Sequence, residues 1–268
     1  MESGLTMTVK EDAAATPIER LEIPDAAVRY ILFQRTAYLA HRRKFPLKLL
    51  WKLLPFVSFE RWVALEANLR GPAIKAMYAR DMELDFRSIR EFLPRECSSV
   101  LDVGCGVAGI DVFLARHYAG RPIPFYLLDK SSIDRKVHYR FTPKGSFCNS
   151  LEVAGQILAL NGVDRARLHL LEATENNDIQ IAGRVGLILS LISWGFHYPV
   201  GTYLDRAYDL LCEGGTLILD IRKGTDGLEA IGHKFGVYTV IANYDKHHRI
   251  AATKPALIPD EPQRPARR

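Results

Sequence analysis

Three acidic residues and a set of glycines recur at intervals suited to a nucleotide-like ligand. Asp102 lies in the stretch VLDVGCGVAG, residues 100–109, two positions before Gly104, and Gly106 and Gly109 complete a G-x-G-x-x-G spacing. An apolar run ending in such a turn reads as a strand whose backbone must bend sharply and let a ligand approach without meeting a Cβ. The glycine spacing alone is common to several nucleotide-binding folds. Asp102 narrows the chemistry, because an acid at the strand's end can receive a ligand's ammonium group and would repel a pyrophosphate. Asp129 ends the apolar run PFYLLD about 20 residues beyond the turn, where an acid accepts hydrogen bonds from ribose hydroxyls. Glu172 ends a third run, RLHLLEAT.

These residues need strands to carry them to one edge. A fourth apolar run, LILSLISWGFHYPV from residue 187 to 200, is continuous enough at its start to be buried on both faces. A helix containing Tyr203, Leu204, Ala207, Tyr208 and Leu211 leads to Glu213, Gly214 and Gly215 and a fifth strand, TLILDI. Residues 235–252 read as two strands, VYTVIA and RIAAT, joined by a polar turn. Successive parallel strands then present polar residues at their carboxyl ends, where open α/β sheets bind ligands.

The ordered set, over residues 98–253, resembles the class I S-adenosylmethionine-dependent methyltransferases. LDVGCG matches motif I, LLD the end of strand two, LLEAT the acid-Ala element, LILSLISWGFHYP motif IV, and LLCEGGTLILD the element before strand five. Two departures are Ala108 at the third glycine position and Gly186 where motif IV often starts with Asp. The resemblance implies a Rossmann-like α/β fold: a seven-stranded, mostly parallel sheet with helices on both faces and a reversed last strand. It implies S-adenosylmethionine as cofactor, held by Asp102, Gly104, Cys105, Gly106, Asp129, Lys130, Glu172, Ala173 and Ser190. Asp102 and the glycine backbone would take the methionine part, Asp129 the ribose, and Glu172 and Ala173 the adenine. Because a sulfonium methyl is already activated, the protein mainly holds an acceptor in line and keeps the site dry. His197 is the candidate base for a hydroxyl acceptor, its ordinary pKa near 6.5 suiting neutral-pH work. Tyr198 would orient the acceptor and Trp194 supply an apolar or cation-facing wall.

The rest of the chain divides around this unit. Residues 1–24 read as a mobile arm and 25–95 as a helical cap, with the methyltransferase unit over 96–253 and a Pro- and Arg-rich tail over 254–268. Within the cap, helical phase runs from Asp25 to near Arg43, from 59 to 69, and from 73 to 92. Between Arg42 and Lys52, basic residues interleave with leucines and Trp51, a pattern suited to packing on the core or to peripheral contact with an anionic membrane. Residues 131–148 exceed the usual connection of about 2–6 residues and carry Arg135, Lys136, His138, Arg140 and Lys144, as a lid or a substrate loop for an acidic acceptor would. Asn149 and Glu152 resemble a capping box opening the next helix.

Composition limits the alternatives. The 36 basic residues are interspersed with 31 acidic ones for a net charge of +5, so a nucleic-acid track is disfavoured and a small-molecule acceptor favoured. The four cysteines show no CxxC spacing, no metal site is expected, and neither a signal h-region nor a spanning run occurs, which together point to the cytoplasm. A nicotinamide-dependent oxidoreductase shares the glycines and Asp129; a non-catalytic scaffold retaining the cofactor fold is the third reading.

Overall fold

The computed structural model describes residues 20–40, 58–131 and 149–256. Residues 1–19 of the expected arm, the basic stretch between Arg42 and Lys52, the insert from 132 to 148 and the tail from 257 lie outside the described residues. Residues 20–24, expected as part of the arm, are instead packed, with Leu21 and Ile23 buried in the core. Seven strands form one sheet: β1 (Val100–Val103), β2 (Phe125–Asp129), β3 (Leu168–Glu172), β4 (Val185–Ser190), β6 (Leu211–Arg222), β7 (Tyr238–Asn243) and β8 (His247–Thr253). Their order is β3-β2-β1-β4-β6-β8-β7, with β8 antiparallel to both neighbours and the others parallel. The order reverses between β1 and β4, and an open sheet leaves a crevice at the carboxyl ends there.

Among the described residues, six helices flank the sheet: α1 (Asp25–Gln34), α2 (Phe59–Ile89), α3 (Gly109–His117), α4 (Leu151–Leu160), α5 (Leu204–Leu210) and α6 (Gly227–Phe235). Strand alternation decides which face each residue serves. Val100, Phe125, Leu127, Leu187 and Leu189 join the core under α1, α2, α3 and α4, whereas Leu101, Val103, Leu128, Ile188 and Leu219 join the one under α5 and α6. Asp102 therefore points to the first face with Val100, and its carboxyl is buried beneath α3.

Several boundaries differ from the sequence expectation. The stretch from Phe59 to Phe92 holds one helix through Gly71 and Pro72 rather than two. A proline disfavours the helical region in its predecessor mainly by meeting that residue's Cβ, which Gly71 lacks. Helix α1 stops at Gln34, because Arg35 leaves helical geometry at φ −119°, ψ 70°. The fourth run is two strands: Ile192 sits at φ 53°, so β4 ends at Ser190 and β5 (Ser193–Tyr198) begins a new direction. The Glu213-Gly214-Gly215 stretch belongs to β6, with an irregular register opposite Val185 and Leu187. Helix α6 has no counterpart in the sequence expectation. Ser150, not Asn149, caps α4, its Oγ accepting from the Val153 N–H at 3.4 Å; Asn149 is engaged at the glycine turn.

Candidate functional site

A cavity of about 200 Å³ opens at the switch point. Its lining includes Asp102, Gly104, Cys105, Gly106, Asp129 and Ala173 from the expected cofactor set, and His197 and Tyr198 from the expected acceptor set. Lys130, Glu172, Ser190 and Trp194 do not line it.

The turn is built so that backbone, not side chains, meets the cavity. Gly104 and Gly106 have φ of 75° and 57°, the left-handed region where a Cβ is strained. A Cβ on Gly104 would stand 1.8 Å from Ser193 Oγ, and one on Gly106 2.7 Å from Gln34 Oε1. The substitution Gly104→Ala is expected to cost about 1–2 kcal/mol in backbone strain, with more from moving Ser193. Thermal melting checks the stability loss and calorimetry the accompanying loss of ligand binding; an unchanged melting temperature would show that the turn relaxes freely.

Asp129 closes the turn against β2. One of its oxygens accepts from the Gly106 N–H at 2.8 Å and the other from the Lys130 N–H at 2.7 Å. A carboxylate has about four lone-pair positions, so acceptor capacity is left for a ligand diol. Burial raises its pKa to about 6, against which the Lys130 and Gly106 N–H groups and Asn149 act. Asn149 donates to the Gly106 carbonyl at 2.5 Å and accepts from Gln34 at 3.2 Å, tying the end of α1 to the turn. Asp102 is raised well above the carboxylate range by burial and by the neighbouring Asp111, with Asp129 adding to the effect.

The expected acceptor residues separate. His197 lines the cavity, burial and Arg222 pull its pKa down to about 4, and its Nδ1 is buried without a hydrogen-bond partner among the described residues. Tyr198 also faces the cavity, and burial raises its phenol. Trp194 is fully buried, stacks edge-on against Tyr203, and donates its indole N–H to the Val200 carbonyl at 2.8 Å. It is a core residue, because β5 starts one residue earlier and alternation turns the ring inward. Ser190 is consumed in the same bend: its Oγ donates to the Val103 carbonyl at 2.6 Å and accepts from the Trp194 N–H at 3.0 Å. Glu172 accepts from the Ser131 N–H at 2.7 Å.

The sequence reading missed the cap's share of the site. Phe33, Gln34 and Arg35 at the end of α1, and Tyr78, Met82 and Asp85 on α2, line the cavity opposite the strand ends. Tyr78 accepts from the Gly109 N–H at 3.1 Å, and a Cβ on Gly109 would lie 2.5 Å from its ring. Arg35 reaches Asp81 and Asp85, each at 3.4 Å. An i, i+4 relation between Tyr78 and Met82 was visible as a helical face, but nothing in it named the partner.

No family model matches the chain, and no curated protein matches it. Solved structures similar to it include a T. thermophilus 16S rRNA N2 G1207 methyltransferase in complex with AdoMet and guanosine, at 16% identity and a TM-score of 0.46. That match covers 65% of this chain and 42% of the other, so the chain spans less than half the length of that protein. The methyltransferase SibL in its apo form matches at 18% identity and a TM-score of 0.43, over 86% of this chain and 70% of that one. The O-methyltransferase TomG from Streptomyces achromogenes, in complex with SAM, matches at 12% identity and 0.42, over 68% and 81%. The fold assignment rests on the strand order itself. With antiparallel β8 set between β6 and edge strand β7, and an acid-x-Gly-x-Gly turn at the switch point, the chain has the fold of the class I S-adenosylmethionine-dependent methyltransferases.

Proposed function

We propose that the protein transfers a methyl group from S-adenosylmethionine to a small-molecule acceptor at oxygen or nitrogen. The observation that carries this reading is the pairing of Asp102 and Asp129 across a glycine turn that has no room for a Cβ. The donor set fits the cofactor. Asp102 offers a carboxyl to an ammonium group, Asp129 retains lone pairs for a ribose, and Gly104 and Gly106 leave backbone bare between them. A pyrophosphate, which a nicotinamide cofactor would bring, meets a buried acid there instead of open N–H groups.

When bound, the cofactor supplies an activated methyl carbon. The chain's own part is to hold the acceptor in line and exclude water, which accounts for much of such catalysis. Phe33, Met82, Leu191, Ile192 and Tyr203 give the cavity an apolar lining, with α1 and α2 facing the strand ends across it. A concave, largely apolar site of this kind supports a small acceptor over a polymer. The described lining sets Asp85, Asp102 and Asp129 against Arg35, whose guanidinium already faces Asp81 and Asp85. Asp85 is also held by Arg249, and the basic insert that favoured an acidic acceptor lies outside the described residues. His197 and Tyr198 both line the cavity, and burial lowers the His197 pKa to about 4, which supports a neutral imidazole as the acceptor of a hydroxyl proton and Tyr198 as the group that orients it.

Calorimetric titration with S-adenosylmethionine and, separately, NADH tests the cofactor: binding of the first alone is expected, and binding of NADH alone would overturn the reading. Incubating the protein with methyl-labelled cofactor and a fractionated metabolite extract identifies the acceptor class. In the same titration, Asp129→Ala is expected to weaken S-adenosylmethionine binding about ten- to a hundredfold, the worth of charge-assisted hydrogen bonds of about 1.5–3 kcal/mol. An unchanged affinity would remove Asp129 from the site.

A further inference from the structure

Asp111, in the first turn of α3, is a buried acid that the proposed chemistry leaves without a task. It is 0% exposed, and neither of its oxygens has a hydrogen-bond partner among the described residues. Buried polar groups are nearly always partnered, so a carboxyl with two unpartnered oxygens needs an explanation. The side chain it faces is another carboxyl, that of Asp102, which is 3% exposed and lines the cavity. Two carboxylates facing each other have about eight lone-pair positions and no donor between them. They can be neighbours in a buried place only if one holds a proton, which then bridges to the other.

Among the described residues, the surroundings supply no alternative cation. Asp129 at the end of β2 adds negative charge to Asp102. From α2, Tyr78 faces the pair with a phenol that burial keeps protonated, its oxygen engaged by the Gly109 N–H. Cys105 in the turn is a buried thiol, its pKa also pushed up by burial. Arg35, beyond α1, has its guanidinium over the Tyr78 ring, 5.7 Å from the centroid, and is held by Asp81 and Asp85. The first turn of α3 favours negative charge on Asp111 through the helix dipole, which leaves the proton on Asp102. Burial raises Asp111 to about 7 even so.

We propose that Asp111 is a positioning residue that holds a shared proton against Asp102, and that the cofactor's ammonium group displaces this proton on binding. The inference rests on the S-adenosylmethionine reading above. The balance is simple: the ammonium brings its own N–H donors to Asp102, the carboxyl O–H bond breaks, and the proton leaves to solvent. The pair goes from one negative charge to two as one positive charge arrives. The site thereby recognises a cationic amine by exchanging it for a proton, and a ligand without the amine has no means of releasing it.

The test is calorimetry of the whole chain with S-adenosylhomocysteine, which keeps the amino-acid end, in phosphate and in imidazole buffer at pH 6.5. Buffer-dependent heats are expected to show release of about one proton per ligand, and affinity to rise by up to about tenfold per pH unit between pH 5.5 and 7. Staying below pH 7 keeps the ligand's own amine, with a pKa of about 7.7–8.0, charged throughout. The amine-free ligand 5′-methylthioadenosine is expected to bind with no proton release, and Asp111→Asn to flatten the pH dependence while the melting temperature holds or rises. Equal heats and flat affinity in the wild type would overturn the inference while leaving the cofactor reading intact. The same proton release with 5′-methylthioadenosine, or in Asp111→Asn, would also overturn it. S-adenosylhomocysteine that binds at no pH would overturn the inference and the cofactor reading together.

Discussion

Replacing His197 with alanine is expected to lower kcat by about 10²–10⁴-fold toward a hydroxyl acceptor, the usual worth of a positioned base. Cofactor affinity is expected to hold, because the residues proposed to hold the cofactor lie on β1, β2 and the glycine turn, not on β5. The pH profile carries the sharper test. An ordinary imidazole would make the rate fall as pH drops through 6.5, but burial and the neighbouring Arg222 pull His197 to about 4. With cofactor saturating, kcat is therefore expected to stay level from pH 8 to 5 and fall only toward 4. The same shift affects folding. Because the folded pKa lies below the unfolded one, the unfolded chain binds the proton more readily, and this residue's contribution to stability declines as pH falls from about 6.5 to 4. His197→Gln removes that decline, so its melting temperature is expected to gain on the wild type as the solution is acidified. A kcat within threefold of the wild type would exclude the base role.

The largest loss of stability is expected from Arg249→Met. Arg249 lies on β8 opposite Asp220 of β6 and is 1% exposed. Its Nε and Nη2 donate to Asp220 at 2.7 and 2.8 Å, and its Nη1 to Asp85 at 2.9 Å and Ser88 at 2.8 Å. Asp220 also accepts from the N–H of Ile192, the residue whose left-handed conformation ends β4 at the cavity. Removing the guanidinium leaves a fully buried carboxylate uncompensated, which costs about 3–5 kcal/mol. For a chain of this size that is a fall of roughly 6–20 °C in melting temperature. Adding Asp220→Asn is expected to recover part of it, since the unpaired charge is then gone. The single variant is also expected to lose ligand affinity, because the network continues through Asp85 to Arg35 at the cavity wall. A fall of less than 2 °C would show that the network does not hold the cap to the sheet.

What the sequence determined by itself was the frame of the α/β unit. Parallel strands are buried on both faces, so they appear as apolar runs, and a turn that must expose bare backbone appears as glycines. Asp102 and Asp129 were legible because a polar residue closing such a run has one place to stand, the carboxyl edge. What only the tertiary structure decided was how that edge is completed. Gln34 meets Asn149 across 115 positions and Arg249 meets Asp85 across 164, pairings that no local pattern encodes. Trp194 and His197 stand three residues apart in one run, yet one is sealed in the core and the other faces the cavity. Alternation alone sets residues three apart on opposite faces; the bend at Ile192 decides which of the two meets the cavity, and that bend is held by a carboxylate from β6. Nothing in the local sequence singled out Asp111. Its meaning came from the pleat of β1, which turns Asp102 toward α3 and leaves two buried carboxyls face to face.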